Sequence, residues 1–181
     1  MKYKSIYLVS FLGMMLLTSC SKKLTYFTQD LYDEYNWSES ELKQIQFYVS
    51  QDIELYRTAS GGSSVIEDGQ IKLKDQRKVD QVIIKEGTPG ILTFTPKDNR
   101  YAVSFDDSGA FLIFAPGKKT RGRYTLRAKE WKGRGEGGII TYNGKEYYTS
   151  TENAYAALMV DLKKARKSVT VVDKASGRKI N

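Results

Sequence analysis

The sequence predicts a mainly β protein, an antiparallel β-sandwich or partly closed β-barrel of about 8–10 short strands with one N-terminal amphipathic helix. Three observations point there. From residue 70 onward, apolar side chains recur at every second position, the period of a half-buried strand. Clusters of Gly, Pro, Asn and Asp cut these runs to strand length. One capping box, Ser38-Glu39-Ser40-Glu41, opens the only clear stretch with a helical period.

In that box, Ser38 and Glu41 can satisfy each other's free backbone N–H groups, so a helix is expected over about 38–57. Leu42, Ile45, Val49, Ile53 and Tyr56 form its apolar stripe, with Phe47 and Tyr48 widening it, and Lys43, Gln46, Ser50, Gln51 and Glu54 lie opposite. Ser60-Gly61-Gly62-Ser63-Ser64 then favours a loop, and the β-rich part is expected over about 64–181. Ile71 and Leu73 alternate with polar neighbours, Val79 to Lys85 is a strand, and Gly87-Thr88-Pro89-Gly90 breaks the chain before Ile91 to Thr95. Tyr101, Val103 and Phe105 pair with Phe111 to Phe114 across Asp106-Asp107-Ser108-Gly109. Tyr124, Leu126 and Ala128 make a further strand. Ile139 to Tyr142 and Lys145 to Tyr148 flank Asn143-Gly144, whose two residues tolerate the positive φ of a type I′ hairpin turn. The segment from Glu152 to Arg166 fits both periods, and its strand-forming neighbours, with Val169-Thr170-Val171-Val172 as a pairing candidate, favour a strand.

The chain start carries a different signal. Lys2 and Lys4, the apolar run from Ile6 to Leu17, and the small residues before Cys20 have the order of a secretory signal. Leu17-Thr18-Ser19-Cys20 resembles the lipobox of bacterial lipoproteins. That resemblance implies removal of residues 1–19, lipidation of Cys20 and attachment to a membrane. An aromatic-rich tether of residues 20–37 follows, then a single domain of residues 38–181. Tyr26, Phe27, Tyr32, Tyr35 and Trp37 make this tether unlike a Gly/Ser linker, and it is expected to dock on the domain flank, with a membrane interface as the competing place for the rings. Within the lipoprotein class, Ser21 rather than Asp after the cysteine resembles outer-membrane members. The absence of acidic residues directly after Cys20 favours a periplasm-facing anchor.

The chain has one cysteine and no histidine, so the lipidated protein would hold no thiol, no disulfide and no imidazole. That inventory excludes zinc sites, Ser-His-Asp triads and Cys-His dyads, and no cofactor is expected. Charge is unevenly placed: residues 21–115 carry 11 basic and 15 acidic groups, whereas residues 116–181 carry 16 basic and 6 acidic ones. An anionic partner is therefore expected for the second half: a lipid headgroup, lipopolysaccharide, peptidoglycan or an acidic face of an envelope protein complex. Nucleic acid does not suit an exported, tethered chain. Arg121, Arg123, Arg127, Lys129, Lys132 and Arg134 cluster within fourteen positions and are the candidate anion-binding residues. Alternation places Arg123 and Arg127 together, on the face opposite Tyr124, Leu126 and Ala128. A second basic cluster runs from Lys163 to Lys167.

Two tempting motifs have simpler explanations. Gly133-Arg134-Gly135-Glu136-Gly137-Gly138 has dinucleotide-loop spacing, but a strand follows it where that mechanism needs a helix N-terminus. Asp106-Asp107-Ser108 lacks the ligand spacing of a calcium loop and sits where a hairpin turn wants Asp and Gly. Glu41 to Tyr48, followed by a β-rich basic part, resembles a group of small outer-membrane lipoproteins of Bacteroidetes-type bacteria. This resemblance implies an accessory role and brings no activity with it. The expectation is a membrane-anchored, non-catalytic binding or assembly module with a basic face. The alternatives are a histidine-free hydrolase using Ser-Lys or paired carboxylates, and a lipid-carrying β-barrel.

Overall fold

The computed structural model describes residues 23–58, 65–67, 70–72, 79–97, 99–132 and 137–169. Residues 1–19, Cys20, Arg134 and the proposed strand at 169–172 beyond Val169 lie outside the described residues. Fourteen strands are described, more than the 8–10 expected, in two main antiparallel sheets. The larger runs in the order β1 (Thr25–Tyr26), β14 (Leu158–Val160), β2 (Gln46–Val49), β7 (Pro89–Lys97), β8 (Arg100–Ser104), β9 (Phe111–Pro116) and β10 (Tyr124–Leu126). The second runs β11 (Glu130–Trp131), β12 (Gly138–Tyr142), β13 (Lys145–Thr149), β3 (Ile53–Thr58) and β6 (Val79–Ile84), and β4 (Val65–Glu67) pairs with β5 (Gln70–Lys72) alone.

The arrangement is a sandwich, not a closed barrel. Isolated bridges join Thr28 to Arg123 and Thr125 to Ala157, so the larger sheet curls until its flanks touch, without a continuous ladder. Its interior is filled. Phe27, Phe47, Tyr101, Phe114 and Tyr124 are at most 2% exposed and share one buried cluster with Ile53, Leu55, Ile140 and Tyr147 of the second sheet.

The expected helix over 38–57 is corrected to a single turn. The capping box forms as predicted, with Ser38 N–H donating to Glu41 Oε2 at 2.8 Å, but the helix α2 covers only Glu39–Leu42. Strands β2 and β3 occupy the rest. Phe47, Tyr48 and Val49 are consecutive and all buried, which a one-sided helix cannot achieve and a strand covered on both faces can. The sequence also alternates at period two from Ile53 to Thr58, and pairing of β2 with β14 and of β3 with β6 decided between the periods.

The segment 152–166 is likewise divided. Residues Thr151–Tyr155 form a 3-10 turn, Leu158–Val160 the strand β14, and Leu162–Val169 the helix α3. On α3, Ala165 is buried and Leu162 packs on the core, while Lys163, Lys164 and Arg166 are exposed.

The aromatic tether docks. Helix α1 (Gln29–Tyr35) starts with Thr28 Oγ1 accepting from Leu31 N–H, and ends at Asn36 in the left-handed region. Around it, Phe27 and Trp37 are buried, Tyr32 and Tyr35 pack against the core, and Tyr26 remains 38% exposed.

Both predicted hairpins are present. Asn143 and Gly144 have φ of 48° and 69° between β12 and β13, the positive pair of a type I′ turn. Between β8 and β9, Asp106 Oδ1 accepts from Ser108 N–H at 2.8 Å and Ser108 Oγ–H at 2.5 Å, and its Oδ2 accepts from Tyr142 O–H at 2.5 Å. The Ser108 and then the Tyr142 hydroxyl hold the Asp106 carboxyl below the usual carboxylate range. A carboxyl with a depressed folded pKa contributes stability that is present above its unfolded pKa of about 3.9 and is lost as pH falls through the folded value. The urea midpoint should therefore fall between pH 5 and pH 2, and Asp106→Asn should flatten part of that fall. An unchanged slope in the variant would show that the turn contributes nothing to acid sensitivity.

Candidate functional site

Three clefts gather on the basic part of the surface, and Arg127 stands between the two larger ones. The loop from β9 to β10 builds the first wall. Gly117 N–H donates to Arg123 C=O at 3.0 Å, Gly122 N–H donates to Gly117 C=O at 3.1 Å, and Thr120 Oγ1–H donates to Gly117 C=O at 3.1 Å. A Cβ on Gly117 would sit 2.4 Å from Thr120 Oγ1, so this tight closure needs glycine there. Lys118 and Lys119, on the 3-10 turn Lys118–Thr120, consequently project into solvent, and Arg121 follows in the left-handed region at φ 53°.

The chain then changes sheets. Arg127 N–H donates to Ile113 C=O of β9 at 2.7 Å, whereas Lys129 N–H donates to Ile139 C=O of β12 at 2.8 Å. Arg127 is half-buried at this crossing, and its Nη2 donates to Pro116 C=O at 2.5 Å and Ala115 C=O at 3.4 Å. Burial first, and the nearby Arg100 charge second, push its pKa below the usual guanidinium value.

The candidate residues differ in what holds them. Arg123 lies over the Tyr26 ring, 3.7 Å from its centroid, and buried Thr125 separates it from Arg127. Lys129 pairs with Glu146 at 2.6 Å, an exposed contact that raises the Lys129 pKa and consumes much of its pull on other anions. Lys132 sits 5.7 Å from the Tyr148 ring centroid, and Arg134 lies outside the described residues.

A groove of about 600 Å³ runs on one side of Arg127. Lys118, Lys119 and Arg127 supply its charge, Trp131 and Tyr155 its aromatic walls, and Thr120, Thr125 and Thr151 its hydroxyls. Tyr155 is 63% exposed, unusual for a ring of its size. An adjoining hollow of about 230 Å³ shares Lys119, Thr125 and Tyr155 and adds Arg121 and Arg123. On the other side of Arg127 lies a cleft of about 360 Å³ between β9 and β12. Among the described residues, no Asp or Glu lines any of the three. No family model, curated protein or solved structure matches this chain.

Sequence reasoning missed Trp131, Tyr155 and Arg100 as site residues. Trp131, set between Arg127 and Lys132, carried a legible signal, an aromatic inside a basic run. Arg100 carried none: it reaches the site because Ala102 pairs with Ile113, the residue whose carbonyl holds Arg127.

Elsewhere, the carboxylates with displaced pKa values, Glu39, Glu41, Asp52 and Asp106, are all lowered by hydrogen bonds. Asp52, for example, accepts from Lys85 Nζ at 2.7 Å and Glu86 N–H at 2.8 Å. This is the direction that favours the ion over a proton donor. Among the described residues, no group of three or more His, Cys, Asp or Glu is placed to hold a metal.

Proposed function

We propose that the protein is a membrane-anchored lipoprotein of the cell envelope, acting as a non-catalytic binding or assembly module that holds an acidic envelope glycan in the groove beside Arg127. One observation carries the reading: among the described residues, a groove with three cations, two aromatic walls and three hydroxyls is lined by no carboxylate. Like charges gathered without counter-charges repel one another, and an anionic partner offsets that cost. Trp131 and Tyr155 offer flat apolar faces with polar tips, suited to the C–H faces of sugar rings, while the Thr hydroxyls can exchange hydrogen bonds with sugar hydroxyls. A lipid-carrying barrel fits less well, because the larger sheet does not close and its interior is packed with rings.

The anchor in this proposal rests on Cys20; among the described residues no helix is long and apolar enough to cross a membrane. Co-sedimentation of the full lipidated protein with purified peptidoglycan and with lipopolysaccharide tests the groove. Wild type should be retained by one of them at 50 mM salt and lose about tenfold or more of that affinity at 300 mM, since several exposed contacts are screened together. Replacing Lys118, Lys119, Arg121 and Arg123 with Gln should remove the retention. Equal recovery of wild type and variant on both polymers would reduce the groove to a solvated surface.

A further inference from the structure

The cleft between β9 and β12 differs in chemistry from the groove. Its floor is apolar: Phe111 and Ile113 come from β9, Ile140 from β12, and Ala128 from the crossing segment. Arg100 and Arg127 stand over it. Arg100 is exposed, and its side chain makes no ion pair or hydrogen bond among the described residues. Arg127 commits Nη2 to the carbonyls of Ala115 and Pro116, which leaves three of its five donors, on Nε and Nη1, for another acceptor. The third cation, Lys129, is already held by Glu146. Arg100 is close enough to disfavour the charge of Arg127, and among the described residues no carboxylate lines the cleft to relieve it. A half-buried guanidinium anchored by its own chain, beside an unpaired one and above an apolar floor, suits an amphipathic anion.

We propose that this cleft binds a small organic anion with a short hydrocarbon body. Its carboxylate or phosphate head lies between Arg100 and Arg127, and its chain lies on Phe111, Ile113, Ala128 and Ile140. The cleft, at about 360 Å³, is in the lower part of the range for small-ligand pockets, about 300–1,000 Å³, which limits the occupant to a single short chain. The site is independent of the glycan groove except for Arg127, which borders both.

Calorimetric titration of the full protein with octanoate, octyl phosphate and neutral octanol tests this. Octanoate or octyl phosphate should bind at least tenfold more tightly than octanol, and comparing the two anions identifies the preferred head. Along hexanoate, heptanoate and octanoate, affinity should rise by up to about fourfold per methylene while the chain still finds floor to cover. Arg100→Gln, at an exposed position whose side chain makes no ion pair or hydrogen bond among the described residues, should weaken the preferred anion at least fivefold and leave octanol unchanged. Ala128→Phe, which fills the floor, should weaken all three probes. Arg127→Gln is less clean, since it also frees two carbonyls. The variant with Gln at Lys118, Lys119, Arg121 and Arg123 should bind the preferred anion as wild type does, so failure of the glycan reading and failure of this one are separable. No binding of either anion to wild type, equal affinity for anion and octanol, or undiminished binding by Arg100→Gln would overturn the proposal.

Discussion

Phe27→Ala is expected to lower the unfolding free energy by about 3–5 kcal/mol, a substantial share of the roughly 5–15 kcal/mol that holds a domain folded. Phe27 is fully buried, and its ring meets Trp37, Phe47, Tyr101 and Tyr124 at centroid distances of 5.9, 5.3, 5.7 and 4.9 Å. Its backbone ties the same place together, with Phe27 N–H donating to Leu158 C=O at 2.8 Å and Tyr124 N–H donating to Phe27 C=O at 3.0 Å. Truncation therefore leaves a cavity where the docked N-terminal segment, β14 and β10 meet, and the surrounding rings cannot collapse into it without moving those strands. In urea, the midpoint should drop by about 1–5 M for a slope of about 1–3 kcal/mol/M. Tyr26→Ala is the control: that ring is 38% exposed and mainly carries Arg123, so its loss should cost about 1 kcal/mol or less. If the two variants unfold together, the N-terminal segment is not integral to the core.

Cys20→Ser should move the protein from the membrane fraction to the soluble fraction and abolish its labelling with radioactive palmitate. Anchoring by two or more acyl chains is stable where a single chain is marginal, so the change in distribution should be nearly complete. The fold gives this prediction a geometric consequence. Thr25, five positions after Cys20, already pairs with Val160 in the larger sheet. At about 3.5 Å per residue, the domain would be held within about 17 Å of the acylated residue. A variant that still sediments with membranes, with wild type taking up no label, would contradict the lipobox assignment and leave the groove and cleft untouched.

Much of the fold was legible because its signals are local. Asn143-Gly144 fixes a hairpin whatever surrounds it, since few other residue pairs tolerate two successive positive φ values. Alternation along β12 and β13 is real because each of those strands buries one face more than the other, whereas Tyr101 to Ser104 are buried on both faces and their strand was legible from the turn that follows it. The capping box was read correctly as a helix start, but it says nothing about length. Past Leu42 the apolar spacing fits both periods, and only the partners available in space, β6, β7 and β14, selected strands.

The site divides in the same way. Composition determined that the second half is basic, that the chain holds no histidine, and that it has one cysteine. Charge along a chain cannot reveal which cations are neutralised, because that depends on residues distant in sequence. Glu146 takes Lys129, Tyr26 takes Arg123, and the Ala115 and Pro116 carbonyls orient Arg127. Arg100 joins Arg127 only through the register of β8 on β9, and Tyr155 faces Lys119 only because a 3-10 turn replaces the expected strand. What the sequence by itself determined was the class of fold, its local turns and the sign of its surface. Which charges stand unpaired over which apolar floor was decided by tertiary structure alone, because pairing and burial depend on distances that the order of residues does not contain.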